Sequence, residues 1–184
     1  MAVGGLFRYA RETFFSKPTP EKQLLRLVKP TPVRRVVEVG IGSFAITQAL
    51  LASVVKQAGG EPVHYTALDE FDQRPAGAAP LSLRDAYRRL SQKGVRLRLV
   101  PGDPIASLVG ESNSLENTDL LLLTSDATDL RLAAAWYFVP RMCHPGTQIV
   151  RQTASSDAEA AGAWEVVPLS TVARLAARPT RLAA

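Results

Sequence analysis

The residues best suited to chemistry lie in the segment 36–44, which reads VVEVGIGSF. An apolar pair leads to the carboxylate of Glu38, and Gly40, Gly42 and Ser43 follow before a helix-like run. Glycines let a backbone approach a ligand closely, and the first N–H groups of a helix attract negative charge. We therefore predict a buried strand, a tight turn and a helix with Ser43 at its N-cap, together suited to an anionic or nucleotide ligand.

Glu38 is the unusual residue of this segment, because it lies near the carboxyl end of a strand that we expect to be buried. A buried carboxylate is costly unless a polar group satisfies it. A ligand amine, a ligand hydroxyl or a backbone N–H group could do so. We therefore count Glu38 among the candidate binding residues.

Predicted strands and helices alternate along the rest of the chain. Apolar runs predict strands at about 34–39, 63–68, 95–100, 119–123 and 147–150, and a sixth could lie at about 164–167. Helical periodicity covers about 44–58, 81–92, 128–142 and 169–177, with Leu83, Tyr87 and Leu90 facing inward in the second of these. This alternation predicts an α/β fold, with a doubly wound, mostly parallel sheet and helices on both faces.

Acids, glycines and a serine gather at the predicted carboxyl ends of the first four strands. They are Glu38, Gly40, Gly42, Asp69, Glu70, Gly102, Asp103, Ser125 and Asp126. In open α/β sheets, ligands bind outside the carboxyl ends of the strands, at the point where the strand order reverses. The convergence of these residues on one edge predicts a single binding rim, although Asp103 and Asp126 could equally cap the helices that follow them.

These residues resemble the motifs of class I S-adenosylmethionine-dependent methyltransferases over about residues 33–151. In that family an acid and a glycine-rich turn follow the first strand, as in 38–43, and an acid that holds the ribose hydroxyls ends the second, as does Asp69 with Glu70 beside it. The Gly102-Asp103 pair matches the Gly-Asp found near the adenine. Residues 124–126 match the loop that contacts the methionine portion.

The resemblance implies S-adenosylmethionine as the cofactor and methyl transfer as the reaction. The cofactor-binding residues that it implies are Glu38, Gly40, Gly42, Ser43, Asp69, Glu70, Gly102, Asp103, Ser125 and Asp126. It identifies neither the catalytic residue nor the methyl acceptor, for which a small molecule is favoured. No metal is expected, because residues 151–153 after the fifth strand read RQT and contain no acid.

Two other interpretations stay open. Residues 40–45 also satisfy the G-x-G-x-x-G/A pattern of nicotinamide-dinucleotide-binding proteins, although no Tyr-x-x-x-Lys pair for hydride transfer occurs in the chain. A non-catalytic binding or scaffolding domain is the second, because the sequence after the fifth strand has room for one more strand but hardly for the family's closing hairpin. Binding of S-adenosylmethionine without turnover would favour this second interpretation.

Length and composition favour one soluble domain, residues 1–184, in which residues 1–32 form an N-terminal helical arm. The chain has 184 residues and 46% hydrophobic content, enough for an ordinary core. No apolar run is long enough to span a bilayer, and charged residues interrupt the N-terminus where a signal peptide needs an apolar centre. We therefore expect a cytoplasmic protein without membrane contact. The arm could be a lid, a homodimer element or a packing segment.

Cysteine, histidine and charge narrow the functional classes further. Cys143 is the single cysteine and His64 and His144 are the only histidines, which argues against a disulfide within the chain and against metal sites built on cysteine or histidine. The net charge is +5, with basic clusters in residues 1–35 and 84–98. A basic face could contact nucleic acid, but no aromatic residues are interleaved with it, and a solvated helix face is the simpler explanation.

Overall fold

The computed structural model of the chain describes residues 19–28, 32–124, 132–133, 135–153 and 163–177. Its strands are β1 (Arg35–Val39), β2 (Val63–Asp69), β3 (Val95–Pro101), β4 (Thr118–Leu123), β5 (Cys143–Gln152) and β6 (Trp164–Val167). Its helices are α1 (Pro20–Leu27), α2 (Phe44–Gln57), α3 (Leu83–Leu90), α4 (Pro104–Glu111), α5 (Val139–Met142) and α6 (Leu169–Ala176), with a 3₁₀ turn at Phe71–Gln73.

The six strands form one sheet in the order β3-β2-β1-β4-β5-β6. Strands β1 to β5 are parallel to their neighbours, and β6 runs antiparallel to β5. The chain moves outward from β1 to β3 and then crosses back to β4, so the strand order reverses between β1 and β4. The predicted α/β fold with a doubly wound, mostly parallel sheet is confirmed.

Alternate side chains of the central strands feed two hydrophobic cores, one on each face of the sheet. Val36 of β1 packs in the core that contains Leu50 of α2, and Val37 packs in the core that contains Leu108 of α4. Strands β1 and β4 are therefore buried on both faces, which is why apolar residues occupy consecutive positions in each, at 36–37 and at 120–123. Helices on both faces hold the carboxyl ends of the strands in a fixed arrangement.

Helix α1 packs on the first of these cores. It begins at Pro20, and Thr19 caps it by accepting a hydrogen bond from the Lys22 N–H at 3.4 Å. Leu24 is fully buried, and the Gln148 side chain of β5 donates a hydrogen bond to the Leu27 carbonyl. Residues 1–18 of the predicted arm lie outside the described residues.

Two local predictions are wrong. Tyr87 does not face inward, because its side chain is 61% exposed and Ala86 and Leu90 form the buried face of α3. The fifth strand begins at Cys143 and not at about residue 147. Its first part includes Pro145 and Gly146 and is irregular, because the register with β4 shifts between Thr118 and Leu120.

Part of the predicted helix at 128–142 falls on positions outside the described residues, and α5 is its last turn. Of the helices described above, none combines the length and the apolar character needed to cross a membrane.

Candidate functional site

The ends of four strands meet at the carboxyl edge of the sheet. Val39 of β1 lies between Leu68 of β2 and Leu123 of β4. The Gly40 N–H donates to the Leu68 carbonyl at 2.8 Å, and the Gly102 N–H donates to the Asp69 carbonyl at 2.9 Å. These backbone hydrogen bonds bring the turn after β1 and the turn after β3 to either side of the end of β2.

Most of the predicted site residues lie at this edge. They are Glu38, Gly40, Gly42, Ser43, Asp69, Glu70, Gly102 and Asp103. The predicted Ser125 and Asp126 lie outside the described residues. The structure thus brings the strand-end residues of β1, β2 and β3 together, and their contacts differ greatly from one residue to the next.

The glycine turn packs against the chain's own Thr124. Gly40 has a φ of +74°, and a Cβ atom at this position would lie 2.7 Å from the Thr124 Oγ1 atom. Thr124 in turn donates from its hydroxyl to the Val39 carbonyl at 3.2 Å. A Cβ atom on Gly42 would be 3.7 Å from the Thr124 methyl group, an ordinary contact. Gly40 is therefore required by the fold itself, while Gly42 has more room.

Ser43 occupies the N-cap position of α2, but its side chain makes no capping hydrogen bond. The prediction is right about the position and wrong about the interaction. Its carbonyl oxygen instead accepts a hydrogen bond from the Thr47 N–H at 3.1 Å.

Glu38 points into the protein, where two hydroxyl groups satisfy it. Its side chain is buried, with the residue 3% exposed. The Tyr65 hydroxyl donates to its Oε2 atom at 2.6 Å, and the Thr47 hydroxyl lies 3.0 Å from Oε1. We expected a ligand or a backbone N–H group as the partner, and the structure supplies side chains of α2 and β2 instead. The sequence does not single out these two partners, because each is one of several polar residues in its segment.

Burial raises the pKa of Glu38 to about 7, against the lowering effect of the hydrogen bonds from Tyr65 and Thr47, and the charge of Asp69 raises it further. Burial and the charge of Glu38 likewise raise the pKa of Tyr65 well above its usual range. When protonated, Glu38 can donate to the Thr47 hydroxyl, which also lies 3.4 Å from the Ser43 carbonyl. Glu38 therefore links the start of α2 to β2 in both of its protonation states.

Asp69, by contrast, accepts four hydrogen bonds at the edge itself. Its Oδ2 atom accepts from the Ile41 N–H at 2.6 Å, and its Oδ1 atom accepts from the Phe71 N–H at 2.8 Å. The Arg74 guanidinium adds Nε to Oδ1 at 2.8 Å and Nη2 to Oδ2 at 2.7 Å. A carboxylate offers about four acceptor positions, so each position on Asp69 is filled.

Sequence reasoning also missed Arg74. Besides Asp69, it donates from Nη2 to the Ile41 carbonyl at 2.6 Å and from Nη1 to the Ala79 carbonyl at 2.9 Å. Its side chain is only 13% exposed. The only sequence signal was a cation five positions after Asp69 in a predicted loop. Arg74 closes the edge above Asp69 and joins the loop after β2 to the glycine turn.

The remaining acids differ in role. Asp103 is the N-cap of α4, and its Oδ1 atom accepts from the Ile105 N–H at 3.1 Å and the Ala106 N–H at 2.8 Å. Glu70 is partly exposed at the start of the 3₁₀ turn and makes no capping hydrogen bond. Across the part of the chain that the structure describes, no three His, Cys, Asp or Glu side chains come together as metal ligands would.

Comparison with known proteins gives a similarity in structure alone. No protein-family model and no curated protein matches the chain. Among solved structures, the chain is similar to a Plasmodium falciparum protein named as a protein-L-isoaspartate O-methyltransferase (beta-aspartate methyltransferase), in complex with S-adenosyl-L-homocysteine. The TM-score is 0.44 at 12% identity, over 79% of this chain and 67% of that one. The fold assignment therefore stands on the strand order and directions described above.

The contact between Gly40 and Thr124 gives a first prediction. Gly40→Ala should lower the free energy of unfolding by about 1–2 kcal/mol for the left-handed backbone, and by about 1–3 kcal/mol more for the collision with Thr124. Gly59→Ala is the matched control, because Gly59 has a φ of +62° and nothing within 4 Å of its Cβ position. Urea unfolding of both variants measures the difference.

Thr124→Ala provides the second half of this test. In a double-mutant cycle it should recover part of the stability lost in Gly40→Ala, because it removes the colliding hydroxyl. Equal losses in Gly40→Ala and Gly59→Ala, with no coupling to Thr124, would contradict the packing described for the turn.

The raised pKa of Glu38 gives a second prediction. Between its ordinary value of 4.5 and about 7, the folded protein binds more protons at Glu38 than the unfolded chain does. The Glu38 contribution to stability is therefore present at low pH and is lost as the pH rises through this window, on the order of 3 kcal/mol in total. Above about pH 8 no further change is expected from this group.

Glu38→Gln should remove this pH dependence, because the amide stays neutral. We expect the unfolding free energy of wild type relative to Glu38→Gln to fall between about pH 5 and about pH 8 in urea titrations. Taking this difference cancels the titration of His64 and other groups. Glu61→Gln, at an exposed position, is the control. A wild-type-minus-variant difference that stays flat across this range would exclude the raised pKa.

Proposed function

We propose that this chain is a class I methyltransferase-like domain that binds S-adenosylmethionine and transfers its methyl group. The position of Asp69 carries the proposal. In the resemblance drawn from the sequence, the acid at the end of β2 holds the ribose hydroxyls. Asp69 ends β2 beside the glycine turn and the Gly102-Asp103 turn, as that role requires.

The fit of a ribose depends on Arg74. Two acceptor positions of Asp69 are used by the backbone N–H groups of Ile41 and Phe71, and the other two by Arg74. Arg74 uses one position on each carboxylate oxygen, and the two hydroxyls of a ribose diol need two acceptors. The residues therefore fit the nucleoside once Arg74 has turned away. Arg74 and the cofactor compete for the same carboxylate. The apparent affinity for the cofactor is therefore the intrinsic affinity multiplied by the fraction of molecules in which Arg74 has left Asp69.

Other residues at the carboxyl edge of the sheet have secondary roles in the proposed site. Gly42 gives the methionine portion room beside Thr124, and the partly exposed Glu70 supplies a second carboxylate near the ribose. Gly102 and Asp103 border the adenine, with Asp103 acting chiefly as the cap of α4. Ser125 and Asp126 are also proposed as cofactor-binding residues. Glu38 contributes indirectly, because it holds the start of α2, which follows the glycine turn.

When bound, the cofactor supplies an electrophilic methyl group on a sulfonium centre. Methyl transfer asks the protein mainly to align the acceptor and to exclude water. We assign no catalytic residue. A small molecule is the proposed acceptor class in a cytoplasmic protein, and a homodimer is the proposed assembly.

The ion pair between Arg74 and Asp69 also favours a second candidate function. If Arg74 never leaves Asp69, the domain is a non-catalytic member of this fold, kept for binding or scaffolding. Breaking a largely buried ion pair by removing one partner typically costs about 3–5 kcal/mol, so a permanently closed edge is physically reasonable. Nicotinamide-dinucleotide binding is the third alternative, because dinucleotide-binding folds use the same strand order.

Calorimetric titration with S-adenosylmethionine and S-adenosylhomocysteine distinguishes these functions. Arg74→Ala should bind both ligands about tenfold more tightly than wild type, equal to about 1.4 kcal/mol, because it leaves two acceptors on Asp69 open. Asp69→Asn should bind at least about tenfold more weakly, the effect of losing charge-assisted hydrogen bonds. Asp72→Asn, a neighbouring exposed acid, is the control.

Arg74→Met is a second variant for the case in which Arg74→Ala does not fold, since it keeps the apolar stem of the side chain and removes the guanidinium. Thermal unfolding of each variant shows whether it is folded before titration. Binding only after Arg74 is replaced would favour the closed, non-catalytic domain. Failure of both Arg74 variants to bind, with each folded, would reject the cofactor assignment, and binding of NAD⁺ instead would select the nicotinamide alternative.

A further inference from the structure

A row of basic side chains crosses the sheet at the end opposite to the glycine turn. Arg35 of β1 is the register partner of His64 in β2, and His64 is the register partner of Arg96 in β3. Register partners in neighbouring strands project from the same face of a sheet. Arg35, His64 and Arg96 therefore stand side by side near the amino ends of three adjacent strands.

A cavity of about 230 Å³ opens beside this row. Its floor continues along the same face with Val37, Thr66 and Arg98, two positions further on in each strand. The connection from α4 to β4 forms another wall, to which Ser114 and Glu116 contribute. The cavity thus combines guanidinium groups, an imidazole and hydroxyl groups in one concave space.

The positive charge of this cavity is only partly compensated. Arg98 is paired, with Nη2 at 2.7 Å from the Glu111 carboxylate and Nη1 at 3.1 Å from the Ser114 hydroxyl. The Arg35 guanidinium donates to the Glu116 backbone carbonyl at 3.3 Å, and the Arg35 backbone N–H donates to the Asp119 carboxylate at 2.8 Å. Within the described ranges, neither Arg35 nor Arg96 has an ion-pair partner, and Glu116 is the one acid in the lining.

The imidazole between the two arginines responds to this charge. Burial and the nearby charges of Arg96 and then Arg35 lower the pKa of His64. Like charges placed opposite one another on neighbouring strands destabilise a sheet. An anion in the cavity would relieve this repulsion and would reverse the effect of the arginines on His64.

We propose that this cavity binds a compact anion that carries a phosphate group. Guanidinium groups match phosphate oxygens with paired N–H donors, and His64 and the hydroxyl of Thr66 add further donors beside them. The cavity is smaller than the roughly 300–1,000 Å³ of sites for drug-sized ligands, which favours inorganic phosphate or a small phosphate ester. His64 lies about 17 Å from Asp69, five residues earlier along β2, so the site is separate from the proposed cofactor site and does not depend on the methyltransferase function.

NMR titration of the histidine side chains tests this site in the full chain. Inorganic phosphate and glycerol 3-phosphate are added separately, at constant ionic strength kept with sodium chloride. Either ligand should shift the His64 ring signals saturably and raise the His64 pKa by about half a unit or more. His144, which pairs with Asp119 at 3.0 Å, is the internal reference, and a His64→Gln variant assigns the two signals.

Charge-neutralising variants make the test specific. Arg96→Gln and Arg35→Gln should each weaken the saturable shift at least about tenfold, the loss expected for a charged hydrogen-bonding partner. Arg88→Gln is the matched control, because it removes the same charge from α3 at a side chain that is 75% exposed. Saturation by the inorganic ion, the ester or both supports the proposal and identifies the source of the phosphate group.

Three results would overturn the proposal. They are shifts of His64 no larger than those caused by chloride alone, equal binding by Arg96→Gln and Arg88→Gln, and the absence of any saturable shift with either ligand. Thermal unfolding of the variants separates lost binding from lost folding. Since none of these measurements uses S-adenosylmethionine, their outcome is independent of the cofactor proposal.

Discussion

The Asp69 carboxylate holds the carboxyl edge of the sheet together. It accepts the Ile41 N–H from the glycine turn, the Phe71 N–H from the start of the 3₁₀ turn and the paired donors of Arg74. Phe71 adopts a left-handed φ of +48°, which is rare for a bulky residue, and its bond to Asp69 helps to maintain it. A buried carboxylate needs such donors, and here the chain itself supplies a complete set.

This complete set of donors decides how a ligand could use the edge. Any ligand that binds Asp69 must displace a donor that is already in place. Two of the donors are backbone N–H groups whose removal would unfold a turn, whereas Arg74 is a side chain that can rotate. The loop after β2 is thus the part of the proposed site that must change, while β1, β2 and the glycine turn stay fixed.

Glu38 complements Asp69 on the inner side of the same turn. Its hydroxyl partners, Tyr65 and Thr47, hold the beginning of α2 against β2. Burial, with a smaller contribution from the charge of Asp69, raises the pKa of Glu38, so a proton on Glu38 removes a buried negative charge near Asp69. Glu38 and Asp69 therefore have separate roles, one inside the fold and one at the carboxyl edge of the sheet.

Local patterns were sufficient to predict the sheet and the place of the candidate site. Strands β1 and β4 have apolar residues at consecutive positions, and the short length of these segments and the glycines after β1 admit few other structures. Chain order then put Asp69 and Gly102 at the same edge. The partners of each acid could not be predicted in this way, because they depend on packing between distant segments.

Three particular residues show this limit. Tyr65 lies 27 positions from Glu38, and only the pairing of β1 with β2 and the packing of α2 bring their side chains together. Arg74 reaches the Ile41 carbonyl across 33 positions by folding its loop back over the edge. Tyr87 fits the apolar period of α3, but a helix of eight residues leaves the direction of its buried face to its neighbours.

A crystal structure of the wild-type chain grown with S-adenosylhomocysteine tests the central claim most directly. The account predicts that both ribose hydroxyls lie within hydrogen-bond distance of the Asp69 carboxylate and that the Arg74 guanidinium has moved away from it. A structure with the ligand bound elsewhere, while Arg74 still donates to both Asp69 oxygens, would contradict it.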